Sequence, residues 1–202
     1  MVLAVHLADG AVTPAWLAGG WVVAGALVGL FARRIPDAAV PRVGLVTAAV
    51  FVASQLHVQL GPVSVHLLLN GLAGVLLGRT AVAAIAVALG LQLLLFGHGG
   101  LTTLGLNVAI YALPALVWVR MKPRTVAGGA AVGGLTAAAS VALNAGCLLL
   151  GGSEGIDRRV VGLVVLAHLP VIVVEAVVTG FAVAAVRAAA QPGNTSGNGV
   201  SH

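Results

Sequence analysis

Apolar residues in this chain do not alternate with polar ones at a helical or strand period. They fill whole stretches, and the polar residues fall in the gaps. Seven such stretches lie at about 12–32, 43–60, 64–78, 80–96, 103–120, 126–150 and 160–187. About 20 consecutive apolar residues carry a helix across the hydrocarbon core of a bilayer. The pattern therefore predicts an all-α integral membrane protein with about seven transmembrane helices. The third and fourth stretches are short, and Arg79 is the charge between them. They are counted as two because a single span would scatter the loop charges over both sides.

Composition strengthens this reading. Of 202 residues, 60% are hydrophobic and 7% charged, against about 25% charged in a soluble domain. Too little polar surface remains to cover a water-soluble globule. The single cysteine, Cys147, excludes an internal disulfide framework and a cysteine-built zinc site. The opening MVLAVHLADG lacks the basic and long apolar regions of a cleaved signal peptide.

The positive charges are arranged topologically. With seven spans, one side holds Arg33, Arg34, Arg42, Arg79, Arg120, Lys122, Arg124 and Arg187, and the other holds Arg158 and Arg159. Cytoplasmic loops carry the excess of Lys and Arg. The N-terminus is thus predicted outside and the C-terminus in the cytoplasm, in a bacterial-type cytoplasmic (inner) membrane crossed many times. The basic balance implies no nucleic-acid partner. Trp16 and Trp118 fall where interfacial anchors belong. Residues 1–187 read as one transmembrane domain. The stretch 188–202, AAAQPGNTSGNGVSH, reads as a disordered cytoplasmic tail.

Three small-xxx-small pairs, Gly25/Gly29, Gly74/Gly78 and Gly129/Gly133, suit close helix approach in lipid. Pro114 and Pro170 lie inside spans, so neighbouring helices or waters must satisfy the carbonyls they free. No phosphate-binding P-loop is present. Any ATP hydrolysis belongs to another chain, and the protein is read as a transport subunit and not an enzyme.

Five of the six histidines, His6, His57, His66, His98 and His168, fall on the predicted outer side or in the outer half. Singly, each suits an interfacial hydrogen bond. Together they suit metal capture, since a neutral imidazole is the commonest side-chain ligand. A nitrogen-rich set without cysteine or carboxylate clusters favours nickel, copper or cobalt. Glu175 lies seven residues after His168, on nearly the same helix face. It is either functional or a hydrogen bond between helices. Asn70, one turn after His66, either orients that imidazole or ties helices together.

Four stretches carry a resemblance: HLADGAVTPAWLAGGWVVAGA from His6, GPVSVHLLLNGLAGVLLG at 61–78, LLLFGHGGLTTLGLNVAIYALPALV at 93–117 and HLPVIVVEAVVTGFAVA from His168. In combination and order they resemble the CbiM/NikM family over about residues 5–187. These are the substrate-capture (S) components of energy-coupling-factor cobalt and nickel transporters. The resemblance implies a seven-helix subunit whose N-terminal segment, here 1–11, holds Co(II) or Ni(II) in an outer cavity. The implied ligands are the terminal amine, the backbone nitrogen and imidazole of a histidine matching His6, and a second imidazole matching His66. Four nitrogens in a plane suit a tetragonal ion. Asn107 and Gly99-Gly100 match a loop-and-helix element expected to organise hydrogen bonds near the N-terminal segment. His57, His98, His168, Asn70 and Glu175 are accessory candidates.

The implied partners are a transmembrane coupling (T) subunit, cytoplasmic ATPases and a small accessory membrane protein. Ala24, Gly25 and Gly29 are candidates for contact with the coupling subunit. No cofactor is expected; the metal is cargo, and cobalamin biosynthesis is one use for cobalt.

One departure bears on the chemistry. The family histidine follows the initiator methionine directly, whereas MVLA precedes Val5-His6 here. Initiation at Val5, through a GTG codon read as methionine, would restore the amine; the alternatives are a real prefix that is trimmed, or a chain that has lost tight binding. A second departure is His98, where the family often has Asp; it suits a loop constraint more than an extra capture ligand. Two other function classes were weighed. An S component for an organic vitamin would need no amine chelate. An intramembrane zinc enzyme would want a motif such as His-Glu-x-x-His, which is absent, and it ranks last.

Overall fold

The computed structural model describes residues 3–4, 6–60, 63–118, 121, 123–153 and 157–190. Seven α-helices occur among them: α1 (Pro14–Phe31), α2 (Val40–Gln55), α3 (Asn70–Leu77), α4 (Ala81–Phe96), α5 (Leu104–Val117), α6 (Val126–Gly151) and α7 (Arg158–Ala189). Local chemistry explains several ends. Pro14 occupies the first turn of α1, where its missing N–H costs nothing. Thr125 caps α6 by accepting from Gly128 N, and Asp157 caps α7 by accepting from Arg159 N. Gly97 ends α4 in the left-handed conformation, φ 66°.

Five helical stretches are long and apolar enough to cross a bilayer: 14–31, 37–55, 70–96, 126–151 and 158–189. α5 is shorter, at 14 residues. The 70–96 stretch is not one straight rod. A continuous 27-residue helix would be about 40 Å long. Yet the His57 ring lies 4.9 Å from that of His66, just before the stretch, and 4.5 Å from that of His98, just after it. The chain therefore doubles back, and the break falls at Gly78–Thr80, where Gly78 takes φ 61°. The separation of the third and fourth apolar runs at Arg79 matches this hairpin.

The third run itself differs from a full helix. Only Asn70–Leu77 is helical, and α2 ends at Gln55 instead of near 60. Between them lie β2 (Val58–Leu60) and β3 (Val63–Val65), antiparallel, with β1 (Leu3–Ala4) parallel to β3 on its other side. The signal was in the sequence: VQL and VSV each alternate at period two on either side of Gly61-Pro62. High mean hydropathy on both sides concealed it. At the C-terminal end, α7 continues to Ala189, two residues beyond the predicted end; residues 191–202 of the predicted tail lie outside the described residues.

Glycines set the closest helix contacts. A Cβ on Gly133 would lie 2.5 Å from Thr179 Oγ1 and 2.6 Å from Glu175 O; one on Gly129 would lie 3.0 Å from Gly180 Cα. α6 and α7 thus meet backbone to backbone, as small residues permit in lipid. Gly74 does the same between α3 and α5, against Ala115 O. Gly25 and Gly29 differ, for both face open space, while Ala24 is buried in the chain's own core. At Pro114 the missing N–H leaves Ile110 O without its helical donor. The Ser140 hydroxyl of α6 donates to that carbonyl at 3.3 Å.

The two ends of the bundle differ in chemistry. One gathers the N-terminal segment, the sheet, the α4–α5 loop and the end of α6, where Thr13 N donates to Gly151 O and Ser153 N to Ala11 O. At the other, Arg42, Gly78, Pro123 and Arg187 line one cavity, and Arg79 lies over the Phe31 ring.

Candidate metal centre

The centre starts with a tethered peptide. Leu7 N donates to Asn107 Oδ1 at 2.9 Å, and Asn107 Nδ2 donates back to Leu7 O at 3.0 Å. The Thr103 hydroxyl donates to the same carbonyl at 2.7 Å. Two residues on, Asp9 accepts from Leu101 N, Thr102 N and the Thr102 hydroxyl, at 3.1, 2.9 and 2.6 Å. That hydroxyl, above all, holds the Asp9 carboxyl below its usual range against the opposing effect of burial, and the backbone N–H groups add to it. Glycine is required opposite. A Cβ on Gly100 would meet the Asp9 carboxylate at 2.0 Å, and Gly99 takes φ 79°. The N-terminal segment is thus fastened to the α4–α5 loop immediately after His6.

Fastening Leu7 drives the His6 ring into the bundle. It is 6% exposed and lies 4.8 Å, ring centroid to centroid, from the His66 ring, nearly parallel at 25°. Tyr111 meets it edge-on at 5.2 Å. Neither His6 ring nitrogen makes a hydrogen bond of normal geometry, although the Gln92 side chain approaches. Burial, and after it the neighbouring His66, His98 and His57 rings, push the His6 pKa well below 6.5. The ring is neutral at neutral pH, as a ligand must be.

His66 presents the matching atom. Its Nδ1 lies 2.9 Å from Leu67 O. A carbonyl only accepts, so Nδ1 carries the proton and Nε2 the lone pair. That Nε2 is buried without a partner. Metal-binding imidazoles commonly hold their other N–H on a backbone carbonyl in this way. Both rings line a cavity of about 20 Å³ with Gln92, Asn70 and Tyr111. Such a space takes about one water or one bare ion. Among the described residues no three His, Cys, Asp or Glu side chains converge to hold an ion. Side chains alone supply two imidazoles, and further ligands have to come from the chain. Val5, the residue that would supply the amine, lies outside the described residues.

The other predicted residues take distinct places. His57 and His98 continue the imidazole cluster outward and are half-buried. Asn70 makes no hydrogen bond to the His66 ring. It donates to Tyr111 O at 3.0 Å and Ser140 Oγ at 2.8 Å, tying α3 to α5 and α6; Leu67 O holds the imidazole instead. Glu175 Oε1 accepts from the backbone N–H groups of Leu68 and Leu69, the latter at 2.8 Å. Leu69 is the residue before α3 and has φ 49°, the one positive φ outside glycine among the described residues. α3 has no capping side chain of its own, so Glu175 caps it from α7 and fixes the backbone two residues after His66. His168, fully buried, bonds through Nδ1 to Val164 O and takes no part in the stacked rings. Thr103, Thr102, Gln92 and Ser140 were not singled out from the sequence. Nothing local distinguishes them from other polar residues; their partners are distant in sequence.

Comparison with known proteins bears on the chain as a whole. The family model described as "Cobalt uptake substrate-specific transmembrane region", CbiM, matches residues 6–192. A putative metal transport protein of Haemophilus influenzae is 37% identical over 191 residues, covering 86% of this chain and 89% of its own length. The cobalt transport protein CbiM of Sorangium cellulosum is 40% identical over 113 residues, 52% of this chain and 50% of that protein. Of solved structures, one described as a transition metal transporter superposes with a TM-score of 0.77 at 23% identity, covering 91% of this chain and 93% of the other. The tethered N-terminal segment, the paired imidazoles and the match along nearly the whole chain lead to one conclusion: this protein belongs to the CbiM family.

Proposed function

We propose that the chain is the substrate-capture membrane subunit of an energy-coupling-factor importer, taking up Co(II) or Ni(II). The observation that carries this reading is the close approach of the His6 and His66 rings, whose unpartnered nitrogens belong to two rings lining one small buried space. The ion is held there by the two imidazoles, the His6 backbone nitrogen and the amine of the residue before it. That amine is free when the mature chain begins at position 5. A coupling subunit and cytoplasmic ATPases supply the energy, with a small accessory membrane protein alongside. Gly25 and Gly29, which face open space on α1, suit contact with the coupling subunit better than the buried Ala24. Supply of cobalamin biosynthesis is one use of the cobalt.

The topology proposed is seven crossings, N-terminus outside, in a bacterial cytoplasmic membrane. The third crossing is a broken one. Residues 64–69 reach at most about 20 Å and α3 adds about 12 Å, together near the thickness of the hydrocarbon core. Irregular backbone at membrane depth is tolerated when buried in protein, and Leu68, Leu69 and Asn70 are buried. The opposition of a histidine end and an arginine end supports the orientation.

The test is calorimetric titration of the purified protein with NiCl₂ and CoCl₂, with intact-mass measurement of the mature chain. One ion should bind per chain, and His66→Ala should abolish it. Binding that survives His66→Ala would overturn the site. A mature mass that includes MVLA, in a chain that binds tightly, would remove the amine from the ligand set.

A further inference from the structure

The buried space between His6 and His66 has a consequence for how an ion reaches it. A hydrated divalent transition-metal ion carries about six waters, and a cavity needs about 10–15 Å³ of accessible volume for each water it holds. The cavity holds about 20 Å³. The ion has to lose nearly all its water before it arrives, and stripping water without replacement ligands is slow and costly.

The structure offers replacements outside the cavity. Four imidazoles form a continuous file. His98 lies 4.5 Å from His57, His57 4.9 Å from His66, and His66 4.8 Å from His6, centroid to centroid. The outer pair is half-buried and the inner pair buried. The rings come from four different segments, so no single periodicity produces the file. The outer rings are also oriented. His57 Nδ1 lies 3.0 Å from Gln55 O, which places its proton there and leaves Nε2 as the donor. His66 uses the same device with Leu67 O. His98 is flanked by Gly97 and Gly99, both in the left-handed region at φ 66° and 79°, and its backbone N–H is anchored on Gln92 O. Phe96 stacks on its ring.

We infer that His57 and His98 form a shallow loading site that takes the hydrated ion from solvent and passes it, partly stripped, along the file to His66 and His6. This inference rests on the metal-capture reading. Each step is a ligand exchange: on loading, an outer imidazole nitrogen donates its lone pair to the ion and one water leaves to solvent; on passage inward, an inner imidazole bonds the ion and the outer imidazole lets go. No electron is transferred. Because the outer pair helps the ion pass and does not hold it at rest, it speeds loading and release alike.

The test is stopped-flow binding of Ni(II) to the full-length protein in detergent, in whichever N-terminal form binds, comparing wild type with His57→Ala/His98→Ala. Expected is a fall of about tenfold or more in both association and dissociation rates, with one ion still bound and the dissociation constant within about threefold. The His57→Gln/His98→Gln variant, which keeps polar side chains, should show the same slowing if the rings act as ligands and not as packing; its melting temperature checks that the fold is intact. An unchanged association rate in either folded double variant overturns the loading site. So does faster dissociation at constant association, which would place the pair in the resting site. Wild-type protein that binds neither ion overturns the capture reading as well.

Discussion

Asn107 closes a ring of two hydrogen bonds with Leu7, accepting from its N–H and donating to its C=O across 100 residues of sequence. The bonds fix the backbone immediately after His6. Asn107→Leu leaves the buried Leu7 N–H unpartnered, at about 1–3 kcal/mol, while Thr103 still serves the carbonyl. Metal affinity should fall about 10–100-fold, measured calorimetrically with NiCl₂. Asn107→Asp keeps the acceptor and should fall between the two.

Glu175 acts on the other ligand in the same way. Glu175→Ala removes the acceptor from two buried backbone N–H groups at the start of α3, each costing about 1–3 kcal/mol. A lower melting temperature and weaker metal binding should appear together, because Leu69 is held at φ 49° only two residues from the His66-Leu67 pair. Glu175→Gln retains an acceptor oxygen and should recover most of both. Full affinity in the alanine variant would separate the cap from the site.

The pH dependence of capture follows from which groups must lose protons. Burial keeps the His6 ring neutral to well below pH 6.5, so it adds no proton competition between pH 6.5 and 8. A terminal amine has a pKa of about 7.7–8.0 and must be deprotonated to bind. Affinity should therefore rise with pH more steeply below about pH 7.7 than above it in a chain that begins at position 5. The bend should vanish in a chain that retains MVLA. The Asp9 carboxyl, lowered mainly by the Thr102 hydroxyl, stabilises the docked segment above its unfolded pKa of about 3.9. That contribution is lost only as pH falls through the lowered value, so Asp9 adds no slope in the neutral window. The His6 backbone nitrogen also gives up its proton on binding, which adds a constant slope without a bend, so a bend at about pH 7.7 in a chain without the amine would contradict the scheme.

Two glycine substitutions separate packing inside the chain from a surface for partners. Gly133→Ala drives a methyl group into Thr179 Oγ1 and Glu175 O and should destabilise by about 1–3 kcal/mol. Gly25→Ala meets open space and should leave stability within about 0.5 kcal/mol. Thermal denaturation in one detergent decides both.

Much of the protein was written in the chain order alone. Hydropathy and loop charge are properties of consecutive residues, so the apolar runs, the hairpin at Arg79 and the opposition of histidines to arginines were legible without a structure. So was the pairing of His6 with His66, though only through resemblance of whole stretches. What the tertiary structure decided depends on residues far apart. The third run had to break into β3, an irregular turn and α3, because Glu175, 107 residues on, supplies the acceptor that a short helix start lacks. Asn70 belongs to Tyr111 and Ser140 instead of His66. His57 and His98, read as members of one outward-facing histidine set, come into ring contact only because α2 and α4 end at the same side of the bundle. Lipid offers a buried polar group no partner, so its partners come from wherever the fold brings them. That matching is a property of three dimensions, and no local pattern announces it.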